Sequence, residues 1–337
     1  IFNSGLADSN GQLTLSISSP QNYLTFETPS VDMDGIESRT GVELGDMFTF
    51  QVLPSAPSGV MAELKIQVSE GGILLYEKTF DIVIGVAIPI AQYSFEDSDG
   101  WTVGATGDDA TAGIWESAVP VATYFDGNQA QPGTDQSEDG EKCFLTGAAT
   151  SPGSVGFDDV DGGKTTLLSP IFDLSEYTEA LITYYRWYTN NVGDNPGTDH
   201  WQVDVSDNGG ESWSALEYTT ESNDSWIQKN FLLSQLGVTL TNQVQFRFVA
   251  EDITNPGDSG SGGSIIEAAI DDFTLSTFDT NPSLPGDLNG DGVLNVLDVV
   301  ALVNIVLADG YSSEADINAD GYCNVLDVVQ LVNLILV

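Results

Sequence analysis

The sequence predicts a mainly β protein, antiparallel sandwiches over most of its length, closed by one small α-helical domain at the C-terminus. Three observations predict it. Short apolar-alternating segments recur along the chain to about residue 278, separated by Gly, Pro, Asn and Asp turns. Two near-copies, "DLNGDGVLNVLD" at 287–298 and "DINADGYCNVLD" at 316–327, each lead into an apolar stretch of helix length. Lys and Arg number 8 against 51 Asp and Glu, a formal charge of −43 over 337 residues.

Residues 1–86 alternate in strand fashion through "QLTLSIS", "YLTFE", "MFTFQVLP", "AELKIQVSE" and "ILLYEKTFDIVIG". This is the pattern of an immunoglobulin-type antiparallel sandwich, about one strand short. Either a longer precursor continues upstream or another chain donates the strand, since an unpaired edge invites strand addition. The segment resembles the Ig-like modules that follow catalytic domains in secreted bacterial peptidases.

The middle domain, 87–279, opens with "YSFEDSDGW" and closes with "SIIEAAIDDFTL". The opening "FE", the strand "LLSPIFDLS" and the closing "IDDFTL" resemble MAM-like or immune-inhibitor-A-like jelly rolls of secreted bacterial hydrolases and peptidases. That resemblance implies a two-sheet jelly roll that binds without catalysing. It also implies a calcium where first and last strands meet, at Glu96 and Asp272; the plainer reading makes them two solvent-facing carboxylates. "SDNGGESW" resembles an Asp-box hairpin with Asn208 at the usual Asp position, a folding device. In "ITYYRWYTN", Tyr184, Arg186 and Tyr188 share one strand face. Two readings stand for that face: aromatic core packing, or a concave surface that stacks sugar rings.

In the first terminal loop, oxygen side chains fall at Asp287, Asn289, Asp291, Asn295 and Asp298, positions 1, 3, 5, 9 and 12. Gly292 at position 6 allows the sharp turn, and Val293 at position 7 offers its carbonyl. The second loop repeats the pattern with Asp316, Asn318, Asp320, Tyr322, Asn324 and Asp327. A donor set of hard oxygens without His or thiolate selects Ca²⁺. The usual EF-hand loop ends in Glu; both loops here end in Asp. The duplicated 21-residue segments agree at 14 positions, and they resemble the dockerin family, covering 284–337. The resemblance implies a paired loop–helix calcium module that docks onto a cohesin-like partner. It also implies that loop positions 10 and 11 choose the partner: here Val296, Leu297, Val325 and Leu326, an apolar pair used twice. Both helices are too apolar all round to cover only each other, so the surplus surface meets another domain or a neighbouring subunit.

Composition excludes some functions. Nucleic acid is not a partner, because phosphate binding needs basic surface. No apolar run reaches the roughly 18 residues of a transmembrane helix. The chain starts at Ile1 without a basic leader, so any signal peptide has been removed or lies upstream. Cys143 and Cys323 read as small buried apolar residues. "GDSGSGG" at 257–263 looks like a protease serine segment, but the single His200 gives no triad. The chain reads as a non-enzyme. Three roles are open: an extracellular surface or matrix subunit that self-associates into fibres; the non-catalytic C-terminal region of a secreted peptidase or polysaccharide-degrading enzyme; or a carbohydrate-binding adhesin.

Overall fold

The computed structural model describes all residues except 10, 44, 54–55, 154, 255–262, 279–285, 290–293, 309, 313, 319 and 337. The chain divides into two compact units, Ile1–Val86 with Asp279–Val337, and Ala87–Phe278.

The N-terminal part holds six strands among the described residues: β1 (Leu13–Ser18), β2 (Leu24–Phe26), β3 (Ser30–Met33), β4 (Phe50–Val52), β5 (Val60–Glu70) and β6 (Ile73–Ile84). They form a four-stranded antiparallel sheet, ordered β3-β1-β5-β6, and a β2-β4 ribbon. Leu13, Leu15 and Ile17 alternate inward along β1, the pattern of a half-buried strand. Ile17 and Leu64 of the sheet pack with Leu24, Phe26 and Phe50 of the ribbon. The partner layer is therefore only two strands wide. Among the described residues β6 pairs with β5 alone, and it leaves Ile73, Leu74, Leu75 and Tyr76 exposed. A cavity of about 600 Å³ opens beside it, lined by Phe2, Leu13, Ile36, Val68, Leu75 and Tyr76.

The middle unit is a two-sheet sandwich. Its strands are β7 (Ala87–Tyr93), β8 (Thr102–Val103), β9 (Trp115–Ala118), β10 (Tyr124–Phe125), β11 (Asn128–Gln129), β12 (Cys143–Thr146), β13 (Gly163–Leu168), β14 (Ala180–Thr189), β15 (Trp201–Ser206), β16 (Ser214–Thr219), β17 (Asn223–Leu232), β18 (Gln245–Asp252) and β19 (Glu267–Phe278). One sheet runs β17-β14-β19-β12-β9, with β7 also beside β19; the other runs β16-β15-β18-β13-β8. Between them lies an aromatic core of Phe95, Trp101, Trp115, Phe144, Tyr184, Tyr188, Trp201, Phe246, Phe248 and Phe273. Edge-to-face pairs such as Trp101 on Phe273 (5.1 Å) and Tyr184 on Phe248 (5.1 Å) interlock the layers. The β15–β16 turn carries Asn208, whose side chain accepts from Ser212 N at 3.0 Å. Cys143 and Cys323 are both free thiols.

The C-terminal part carries α1 (Val296–Leu307) and α2 (Val325–Leu336). Leu302, Ala315 and Leu331 form its small core, flanked by Leu294, Ile305, Ile317, Cys323 and Val328. Leu302 and Leu331 occupy equivalent places in the two repeats. No helix among the described residues is long and apolar enough to cross a membrane.

Candidate functional site

The terminal loops are built around their twelfth residues. Asp298 is fully buried; its Oδ1 accepts from Leu288 N (3.0 Å) and Asn289 N (3.3 Å), and its Oδ2 from Asn295 N (2.9 Å). Asn295 returns the favour as N-cap of α1, accepting from Leu297 N at 2.8 Å. That reciprocal capping box starts the helix where the loop ends. Asp327, also fully buried, accepts from Asn318 N (3.2 Å) and Asn324 N (2.9 Å), and Asn324 accepts from Leu326 N (2.9 Å).

The second loop is described almost whole. Asp316 accepts from Asp320 N (3.0 Å) and Gly321 N (2.8 Å), and Asp320 from Tyr322 N (2.9 Å). Gly321 has φ +86°, the left-handed turn that position 6 requires. Of the first loop, Asp287 is buried, while Asp291 and Val293 lie outside the described residues. Asp298, Asp316, Asp320 and Asp327 thus each engage main-chain N–H groups. No set of three or more Asp, Glu, His or Cys side chains stands together as metal ligands among the described residues. The donor chemistry fits calcium all the same: carboxylate and amide oxygens, with a main-chain carbonyl at position 7.

The four residues at loop positions 10 and 11 are displayed. Val296, Leu297, Val325 and Leu326 are 67, 59, 65 and 60 % exposed. Val300 and Val329 extend the patch by one helical turn in each repeat.

In the jelly roll, Glu96 and Asp272 come together around a residue that the sequence did not single out. Their charges, after burial, raise Asp135 above the usual carboxylate range. A Cβ built on Gly140 would meet both Asp135 Oδ2 and Glu96 Oε1, so those oxygens converge on one point. Glu96 Oε1 accepts from Glu141 N (2.8 Å) and Lys142 N (2.9 Å), which holds its carboxyl low. Ser137 donates to Asp272 Oδ1 at 2.7 Å. Neighbouring Asp271 is buried and raised to about 7 by desolvation, against the pull of the Gln136 amide.

The sugar-stacking reading of Tyr184, Arg186 and Tyr188 is corrected here. All three are buried in the sandwich interior and present no face to a ligand. Tyr184 Oη and Trp201 Nε1 both donate to Glu217 Oε2 at 2.8 Å, and Arg186 pairs with Glu217 Oε1 at 2.5 Å. Lys229 reaches the same oxygen at 2.8 Å. His200 stacks on Tyr218 (4.3 Å) and pairs with Glu251 (3.4 Å). Most of "GDSGSGG" lies outside the described residues.

Two buried carboxyls set a pH dependence. Burial, then repulsion from Asp161, raises Asp159 to about 8, and Asp271 sits at about 7. In an unfolded chain both ionise near 4. Between roughly pH 4 and pH 8 the folded chain therefore binds more protons, and stability falls as pH rises. In calcium-free buffer the sandwich should melt lower at pH 8 than at pH 5, and Asp159→Asn should flatten that slope. A melting temperature that climbs over this range contradicts the assignment.

Fold and site together define a modular β-sandwich protein that ends in a duplicated loop–helix docking unit. Residues 285–336 match the Dockerin type I domain, and this segment is a dockerin. No curated protein matches the chain. Among solved structures, it is similar to the K1 cleaved adhesin domain of Lys-gingipain from Porphyromonas gingivalis W83, at 14 % identity and a TM-score of 0.33 over 56 % of this chain and 98 % of that one. It is also similar to the family 11 carbohydrate-binding module of the cellulosomal cellulase Lic26A-Cel5E of Clostridium thermocellum, at 10 % identity and a TM-score of 0.30 over 58 and 96 %. Likeness at this level bears on neither ligand nor activity.

Proposed function

We propose that this is a secreted, non-catalytic protein of three modules, 1–86, 87–279 and 284–337, whose dockerin attaches the sandwiches to a cohesin-bearing partner outside the cell. One observation carries the reading: the same apolar pair stands exposed at the start of both dockerin helices. Calcium would be held by Asp287, Asn289, Asp291, the Val293 carbonyl, Asn295 and Asp298, and by Asp316, Asn318, Asp320, the Tyr322 carbonyl, Asn324 and Asp327. The convergence of Glu96 and Asp135 near Asp272 supports a third ion in the jelly roll.

The test is binding to an immobilised type I cohesin in millimolar calcium. A central apolar anchor contributes about 2 kcal/mol or more, some 30-fold in affinity. Leu297→Asp with Leu326→Asp should abolish binding, while either change alone leaves a usable copy of the face and costs less. No binding by the unmodified chain would overturn the cohesin reading.

A second reading gives the same face to a neighbouring copy of the chain, building a fibre. The apolar, singly paired β6 favours it. Filaments that form in calcium and disperse in chelator would select it; monomers in both conditions would reject it.

A further inference from the structure

The middle unit buries acidic groups that neither the dockerin loops nor the Glu96 cluster uses. Asp159 is 2 % exposed and Glu267 1 %. Val160 N donates to Ile266 O at 2.9 Å, which sets the adjoining residues, Asp159 and Glu267, side by side. Asp161 and Asp252 are buried nearby and repel Asp159, while Asp158 and Asp159 repel Glu267.

Hydrogen bonds answer only part of this charge. Glu267 Oε2 accepts from Gln131 Nε2 at 2.9 Å, and that amide is itself fixed by Gly147 O (2.7 Å) and by Ala149 N (3.0 Å). Glu267 Oε1 and Asp159 Oδ1 are buried and have no hydrogen-bond partner among the described residues. Asp159 also lines a cavity of about 180 Å³ with Gly156, Gly193, Asp194, Gly263 and Ser264. Two unanswered carboxylate oxygens on neighbouring residues, one of which lines a cavity, are costly unless something positive meets them.

We infer that Asp159 and Glu267 hold a divalent cation inside the jelly roll, calcium by donor chemistry, at a site separate from Glu96 and from the dockerin loops. The two carboxylates offer hard oxygen donors, which favours calcium over a softer metal. Calcium takes six to eight oxygen ligands and accepts carbonyls and water among them. Among the described residues no three acidic side chains stand together as ligands, so carbonyl and water oxygens complete the shell. The ion neutralises charge that the fold has taken out of water and pins the chain before β13 to the start of β19.

The experiment counts bound calcium on the full chain by equilibrium dialysis with radioactive calcium. The background carries Asp298→Asn and Asp327→Asn, so the dockerin loops do not contribute. Asp159→Asn and Glu267→Gln should each remove one ion per chain, and together no more than one. The calcium-dependent rise in the sandwich's melting temperature should shrink with them. An unchanged count, or amide variants that are simply more stable with and without calcium, overturns the site and identifies both carboxyls as protonated core groups. If the variants do not fold, crystals of the parent chain soaked in a lanthanide decide: anomalous density between Asp159 and Glu267 supports the site, and density only elsewhere rejects it.

Discussion

Replacing Asp298 with Ala should unfold the dockerin and leave the middle sandwich intact. The carboxylate is buried and answers three main-chain N–H groups, those of Leu288, Asn289 and Asn295. Hydrogen bonds to a charged group contribute about 1.5–3 kcal/mol each, and orphaned buried donors add their own penalty. A module of this size has a core worth only about 3–5 kcal/mol, here centred on Leu302, Ala315 and Leu331. One substitution at the twelfth position therefore consumes most of its stability before any metal is counted. Because the carboxylate also belongs to the predicted ion shell, calcium cannot rescue the loss. Circular dichroism should show the contribution of α1 and α2 disappear, while the near-ultraviolet signal of the sandwich's tryptophans persists. Asp298→Glu restores the residue usual in EF-hands, yet it adds a methylene at a position without space and should cost about 1–3 kcal/mol. Retention of helix in the Ala variant, in chelator, would show that packing alone holds the module.

What was legible in the sequence was local. The dockerin loops declare themselves because their oxygens sit at fixed offsets within twelve residues, and the structure adds the capping box of Asn295 and Asp298. Strands such as β1 and β5 were readable because one face is buried and the side-chain period is two. The acidic centres of the jelly roll were only partly readable: resemblance pointed to Glu96 and Asp272, and nothing pointed to Asp135, Asp159 or Glu267. Asp135 meets Glu96 and Asp272 across long chain separations, and within "PGTDQSEDGE" it resembles any solvent-facing acid. The paired acids of "IDDF" were the available signal for Asp271. The Tyr184–Arg186–Tyr188 face was half legible. Alternation put the three on one side, but an arginine suggests solvent, and only its partner on a distant strand explains its burial. That partner, Glu217 in "SALEYT", has the composition of an ordinary exposed strand.

Glu217→Ala should be the most damaging single change in the sandwich. Glu217 gathers four donors: the Tyr184 hydroxyl, the Trp201 indole, the Arg186 guanidinium and the Lys229 ammonium. Arg186 keeps one other side-chain partner, Asn223, which carries no charge. Removing one member of a buried ion pair costs about 3–5 kcal/mol, because the survivor stays charged and dry. For a domain of roughly this length each kcal/mol lowers the melting temperature by about 2–4 °C, so a fall of about 6–20 °C is expected. Glu217→Gln keeps an acceptor for Tyr184 or Trp201 but leaves the guanidinium unneutralised, and should fall between parent and Ala. The pair is a costly arrangement and not an optimum. Replacing Arg186 by Met together with Glu217 by Leu should recover much of the loss, since well-packed apolar groups often match a buried ion pair. Calorimetry on the four proteins separates the cases. If the double variant melts no higher than Glu217→Ala, the guanidinium–carboxylate charge is not what the single variant exposes, and the loss lies in the unanswered hydroxyl and indole donors.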